Sequence, residues 1–298
     1  MPRRSRFSIV KTHIEDVLNS ENKKIFTPRD ISNIFTINSL VWRLPQSVGP
    51  SDFVEFLINR SKLQKVDLEF PSGTITRYVW NHRISPELIY DICMSLRLNG
   101  YFSHYTALFL NDLTEQIPKQ IYVTYEQSPK NKSSEKITQE AIDKAFNKPI
   151  RQSNNTTTCC SYRITLLNGQ FTNKIGVISK VDIQSTSKIN MTNLERTLID
   201  ITVRPEHSGG VFEVLKAYEA AKENVSINTL KAYLNKINFV YPYHQAIGFY
   251  LERAGYSESK LKIIDKLEKN LDFYLLHNID QVFYSERWKL YYPKFLDE

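Results

Sequence analysis

The 298-residue chain has only three cysteines, three methionines and nine glycines. Cys93, Cys159 and Cys160 are odd in number and lack Cys-x-x-Cys spacing, which excludes a disulfide framework or a zinc ribbon on sequence grounds. No apolar run approaches the eighteen residues of a membrane-spanning helix. Phe7-Ser8-Ile9-Val10 is too short to be the core of a signal peptide, so a cytoplasmic protein is expected. A Gly-x-x-x-x-Gly-Lys-Ser/Thr loop, a His-Glu-x-x-His pair and an Asp-x-Asp pair are all missing. Without them the chain lacks the usual phosphate-cradling and metal-hydrolase signatures.

What is present is apolar and aromatic material, 41% and 12% of residues, in a length sufficient for two cores. The net charge of +7 is unevenly placed. Residues 1–85 hold 13 Lys and Arg against 8 Asp and Glu, whereas residues 86–298 hold 26 against 24. A basic domain joined to a nearly neutral one suggests a polyanion partner for the first. A merely basic, solvated surface is the plainer alternative.

Apolar residues at Phe7, Val10, Ile14, Val17 and Leu18 share one helical face. Thr27-Pro28-Arg29-Asp30 starts a second helix carrying Ile31, Ile34 and Phe35. Ser51-Asp52-Phe53 starts a third, with Phe53, Phe56, Leu57 and Leu63 on one side. Residues 65–70 and 75–80 alternate with period two about a Pro71-Ser72-Gly73-Thr74 turn, which reads as a β-hairpin. Three helices followed by a hairpin is the order of a winged helix-turn-helix. In such a domain a helix enters the major groove and the wing lies along phosphates. Ser51, Asn59, Arg60 and Lys62 fall off the apolar face of the third helix, and Lys65 and Arg77 fall on the wing. Arg3, Arg4 and Arg6 form a basic arm. Asp52 and Glu55 oppose phosphate if they share that side, and some winged helices only dock proteins.

A second unit begins near Ser85-Pro86-Glu87. Its polar stretch 126–158 reads as two mobile loops flanking a short helix at Ile142, Ala145 and Phe146. Strands are expected over 159–166 and 175–183, and helices over 212–221, 229–237, 243–254 and 259–268. The expected fold is α+β, with a winged helix over residues 1–84 and a mixed α/β domain over 85–298 that ends helix-rich.

The chemistry-bearing candidates in this second domain have structural readings. Glu195 and Asp200 are five apart, about 140° around a helix, and project to different sides. Arg196 is expected to pair with an acid where its helix meets the core. His104, His207 and His244 have no partners at ligand spacing. Gly209-Gly210 suits a turn opening the next helix, and Gln116 and Pro118 suit a turn into a strand. Cys159-Cys160 is expected within a strand, one thiol facing in and one out. No catalytic residue, metal or cofactor is expected.

Two blocks stand out in this order behind the basic domain. The first is Tyr101–Val123, YFSHYTALFLNDLTEQIPKQIYV. The second is Asn193-Leu194-Glu195-Arg196-Thr197-Leu198-Ile199-Asp200, followed by Arg204-Pro205 and Gly209-Gly210. Together with the helix Ala246-Ile247-Gly248-Phe249-Tyr250-Leu251-Glu252 and with Trp288-Lys289-Leu290, they resemble the AbiEi antitoxins of AbiE-type (type IV) toxin–antitoxin systems, which act in phage defence. The resemblance implies an N-terminal winged helix that represses its own operon by binding inverted repeats in duplex DNA, with Arg60, Lys62, Lys65 and Arg77 on the operator. It implies a C-terminal domain that counteracts a nucleotidyltransferase-type toxin without needing a stable complex. Gln116, Pro118, Glu195, Arg196, Asp200, Gly209 and Gly210 are then family markers with no reaction assigned. The segments 126–158 and 36–50 are longer than the family pattern needs. The alternative is a stand-alone regulator or interaction protein of the same fold, with no toxin to restrain.

Overall fold

A computed structural model describes residues 5–21, 23–129, 137–150, 153–181 and 188–297. Among these are twelve α-helices and three sheets, a mixed α/β composition of the α+β kind. The chain forms two compact units. The first comprises residues 1–99, 155–164 and 181–189, and the second comprises 100–154, 165–180 and 190–298.

The first unit opens with α1 (Arg6–Ile9) and α2 (Lys11–Ser20), which divide at Val10 the single helix suggested by the apolar spacing. Strand β1 (Ile25–Phe26) leads into α3 (Pro28–Asn38). The start of α3 is fixed by a reciprocal cap. The Asp30 carboxylate accepts from the Thr27 amide at 2.7 Å, and Thr27 Oγ1 accepts from the Asp30 amide at 3.1 Å. Helix α4 (Pro50–Arg60) begins on Gly49, whose amide donates to the Asp52 carboxylate at 2.7 Å. Phe53 on α4 is fully buried and centres the core, with its ring 5.8 Å from Phe7, 5.6 Å from Phe35 and 5.5 Å from Trp42. Trp42 thereby fastens the long connection between α3 and α4.

Strands β2 (Leu63–Phe70) and β3 (Gly73–Trp80) form the expected hairpin in register from Leu63↔Trp80 to Phe70↔Gly73. Short β1 pairs with β3, giving the antiparallel order β1-β3-β2. Both faces of the hairpin contribute to burial. Leu63, Tyr78 and Trp80 join the helical core, while Val66, Leu68, Phe70, Arg77 and Val79 are buried on the other face. Helix α5 (Ile89–Ser95) packs beside β1. The first unit therefore runs past residue 84, as far as Asn99, and takes in a helix that the sequence groups with the second domain.

The second unit starts at β4 (Tyr101–Phe102), followed by α6 (His104–Leu110), β5 (Gln120–Glu126) and α7 (Gln139–Phe146). Strand β4 pairs antiparallel with β5, Tyr101 opposite Thr124. In α7, Ile142 and Phe146 are buried in the core of this unit, as the amphipathic spacing suggests. The flanking stretches 130–136 and 151–152, which fall in the loops expected to be mobile, lie outside the described residues. Strand β6 (Thr156–Cys159) lies beside β2 in the first unit, and β7 (Tyr162–Gly169) continues into the second. Cys160 and Ser161 adopt left-handed φ values of 49° and 68°. The expected strand over 159–166 is thus a hairpin, and the cysteine pair sits at its turn. Strands β8 (Val177–Val181) and β9 (Lys188–Thr192) complete a sheet of order β6-β7-β5-β4-β9-β8.

Helices α8 (Leu194–Val203), α9 (Val211–Ala220), α10 (Ile227–Ile237), α11 (Tyr243–Arg253) and α12 (Glu258–Asp265) pack into one apolar core. The four helices expected after residue 210 are all present. Three short strands beyond them have no counterpart in the sequence pattern: β10 (Phe273–Tyr274), β11 (Val282–Ser285) and β12 (Leu290–Pro293), ordered β10-β12-β11. Trp288 precedes β12 and is fully buried against α11 at Gly248. No helix among the described residues is long and apolar enough to cross a membrane.

Candidate functional site

Each unit carries a candidate surface. In the first, Ser51, Glu55 and Asn59 follow one another at i, i+4 spacing along the exposed side of α4, with Arg60 and Lys62 at its C-terminal end. Asn59 and Arg60 line a shallow groove with Phe7, Asp52, Glu55 and Phe56. The acids do share this side, and Asp52 is partly engaged in the Gly49 cap. A carboxylate here repels phosphate, but at the centre of a groove it can accept from a cytosine amino group.

The remaining cations expected on this face are placed less favourably. Lys65 is exposed, but its ammonium lies 2.7 Å from Asp67. Arg6 donates from Nε to the Trp42 carbonyl at 2.9 Å, which ties the start of α1 to the long connection. Arg3 and Arg4 lie outside the described residues. Arg77 is not where the sequence pattern puts it. The hairpin pattern points it outward from the wing, yet it is 8% exposed. It donates to the Ser95 carbonyl at 2.6 Å, to Ser95 Oγ at 3.0 Å and to the Thr76 carbonyl at 2.7 Å. Arg77 lies opposite Val66, on the hairpin face that is buried within the first unit. Its guanidinium anchors α5 and is not available to phosphate.

The second surface is a cavity of about 530 Å³ inside the second unit. Its lining draws on both sequence blocks and on residues 167–172 and 239–243. Arg196 and Asp200, one turn apart on α8, form a buried pair with Nε 2.8 Å from Oδ1. The same guanidinium donates to the Ile175 carbonyl at 2.8 Å and to Thr172 Oγ1 at 3.1 Å. Thr172 Oγ1 in turn donates to the Glu126 carboxylate, which also accepts from the Thr172 amide at 3.0 Å and from the Tyr101 hydroxyl at 3.3 Å. Burial works against the Arg196 charge, but Asp200, Tyr101 and Glu126 outweigh it and raise its pKa. Burial pushes the Asp200 carboxyl up, and Arg196 offsets part of that.

The same cavity is lined by two histidines that sequence spacing leaves apart. His104 begins α6 with a left-handed φ of 51°, a strained conformation for a residue with a Cβ. Its Nδ1 lies 2.8 Å from Ser103 Oγ, which lies 2.6 Å from Thr124 Oγ1. The His207 ring meets His104 edge-on at 5.4 Å and Tyr122 at 5.0 Å. Desolvation, then His207 and the arginines, hold His104 well below the ordinary histidine value. Desolvation and Arg204 lower His207 to about 4. Both rings are therefore neutral at neutral pH.

Of the other residues singled out in the two blocks, each has a local structural role. The Arg204–Gly210 turn is held by donation from the His207 amide to the Arg204 carbonyl at 3.0 Å and from the Gly210 amide to the Pro205 carbonyl at 2.8 Å. Gly209 and Gly210 take φ values of 82° and 89°, which favour glycine. Gln116 Oε1 accepts from the Tyr105 hydroxyl at 3.1 Å, and Pro118 is buried ahead of β5. Glu195 turns away from Asp200 and accepts from the Ser226 amide at 3.0 Å. The signal for Arg196 and Asp200 is their i, i+4 spacing. No sequence signal joins His104 to His207, or either of them to Glu126, Thr124 and Thr172. His244, by contrast, reaches the Glu268 carbonyl at 2.9 Å. Among the described residues, no group of three or more His, Cys, Asp or Glu side chains is placed to hold a metal ion.

The sequence matches no family model, and no curated protein matches it. The fold is similar to the crystal structure of the Rv2827c protein from Mycobacterium tuberculosis, with a TM-score of 0.58 at 11% identity, over 97% of this chain and 92% of that one. At that identity the likeness is one of fold alone.

Proposed function

We propose that this chain is a DNA-binding regulator of the AbiEi antitoxin kind. In this reading the first unit is a winged helix that binds operator DNA, and the second unit counteracts a nucleotidyltransferase-type toxin. The observation that carries the DNA reading is the connectivity of the first unit. Two short helices, a strand, two helices and two strands, with sheet order β1-β3-β2, support a winged-helix reading. The outward side of α4 and the residues just after it support the same reading, since Ser51, Asn59, Arg60 and Lys62 are polar or cationic side chains clear of the core. The buried Arg77 leaves Arg60 and Lys62 as the principal phosphate contacts from this face.

The full-length protein should bind the duplex upstream of its own gene with an affinity that falls as salt rises, because its cations release condensed counterions. Changing Arg60 and Lys62 together to Ala should weaken binding and reduce the log–log salt slope by about one for each phosphate no longer neutralised. Fluorescence anisotropy at two salt concentrations measures both. Absent binding, or binding indifferent to salt, would overturn the DNA reading. Coexpression with an adjacent nucleotidyltransferase gene tests the second half through growth. Failure of the full-length protein to rescue growth leaves a stand-alone regulator.

A further inference from the structure

The cavity in the second unit has a property that neither repression nor fold stability uses. Its lining includes three charged side chains, Arg196, Asp200 and Arg204. The first two neutralise each other at 2.8 Å. Among the described residues, the Arg204 guanidinium makes no hydrogen bond and no ion pair, and Glu206, two residues on, does not engage it. Yet Arg204 is only partly exposed, at the end of α8, and its main chain is locked by the turn that closes at Gly210. A partly desolvated guanidinium facing a cavity without a counter-charge is costly unless something anionic joins it.

The rest of the lining is suited to a small ring. Tyr241, Tyr243 and Phe239 form an aromatic wall, with Tyr243 edge-on to Phe239 at 5.3 Å and to Tyr241 at 6.0 Å. The His104 and His207 imidazoles, also in the lining, offer hydrogen bonds without adding charge. The volume lies within the range of small-molecule sites, which combine apolar walls with a few fixed polar groups.

We propose that this cavity binds a small aromatic oxyanion, its phosphate or carboxylate on Arg204 and its ring against Tyr241 and Tyr243. Nucleoside monophosphates combine both features, and so do aromatic carboxylates. The guanidinium fork fits either oxyanion. Binding here is independent of DNA binding, because the cavity lies in the other unit.

Isothermal titration of the full-length protein with AMP, GMP, CMP and UMP, the matching nucleosides, 4-hydroxybenzoate and inorganic phosphate separates the sources. At least one nucleotide or the aromatic carboxylate should bind at least tenfold more tightly than inorganic phosphate or any nucleoside. Arg204→Gln should lose at least tenfold in that affinity with the thermal midpoint retained, and Arg204→Lys should recover part of it. On the unmodified protein, the same ligand should shift the imidazole resonances of His104 and His207. No saturable binding by any of these compounds overturns the proposal, as does binding that leaves both imidazoles unshifted or survives Arg204→Gln unchanged.

Discussion

Gly248→Ala should destabilise the second unit, although the substitution improves helix propensity. In the middle of a helix, Ala is worth about 1 kcal/mol over Gly. Against this stands the Trp288 ring. A Cβ at position 248 would lie 2.1 Å from Trp288 Cζ3, 2.3 Å from Cε3 and 2.6 Å from Cη2, where carbon atoms prefer about 3.5–4.0 Å. The ring has no easy retreat. Trp288 is fully buried, its Nε1 donates to Glu252 at 2.7 Å, and its carbonyl accepts from Gln245 at 2.8 Å. The Lys269 and Arg287 cations lie over it at 5.0 and 5.2 Å. Overpacking of this kind costs about 1–3 kcal/mol, and a displacement of more than an ångström belongs at the upper end. The expected net loss is therefore about 2 kcal/mol, read from urea unfolding followed by far-UV circular dichroism. The cost should shrink in a Trp288→Phe background, giving a coupling of about 1 kcal/mol or more in the double-mutant cycle. An unchanged or more stable Gly248→Ala protein would refute the reasoning.

Arg77→Ala should lower the stability of the first unit by about 1–3 kcal/mol, because it leaves the Ser95 carbonyl without its charged donor; a stable variant defective only in DNA binding would restore Arg77 to the wing surface. Arg196→Ala should cost about 3–5 kcal/mol by stranding Asp200 in the core, and a Tm within error of the unmodified protein would contradict the pairing. Stability should also fall with acid. His207 is held at about 4 in the folded protein, below its ordinary value of 6.5, and His104 is lowered too, so the unfolded chain takes up protons first. Their contribution is fully present above about pH 6.5 and is lost as pH falls toward 4; thermal melts across that window should decline, less steeply in His207→Asn, and equal slopes for the two proteins would contradict the assignment.

Local features are the legible part of this chain. The Thr27-Pro28-Arg29-Asp30 cap, the hairpin turn and the apolar face of α4 are written in neighbouring residues, and each is present. Period-two alternation shows which side chains share a face but not whether the second face is covered, so Arg77 reads as outward when it is buried. Strand β1 has two residues, too few for any periodicity, yet it sets the sheet order. The cavity is legible only at Arg196 and Asp200, where one helical turn joins the partners. Glu126, Thr172, His104 and His207 meet through pairings that span up to about a hundred residues, and no local pattern records such separations.

The course of the backbone between the two units has a genetic consequence. The chain leaves one for the other after Asn99, Asn154, Ile164, Lys180 and Ile189, so no single stop codon or start codon divides the gene into two self-sufficient halves. A product ended at residue 99 lacks β6, the neighbour of β2, and one begun at residue 100 carries two segments whose own packing partners are gone. Testing the two proposed roles apart is therefore a task for side-chain substitutions on an intact chain. A lineage that gave up one of the proposed roles would show it as eroded surface residues, with the length of the reading frame preserved.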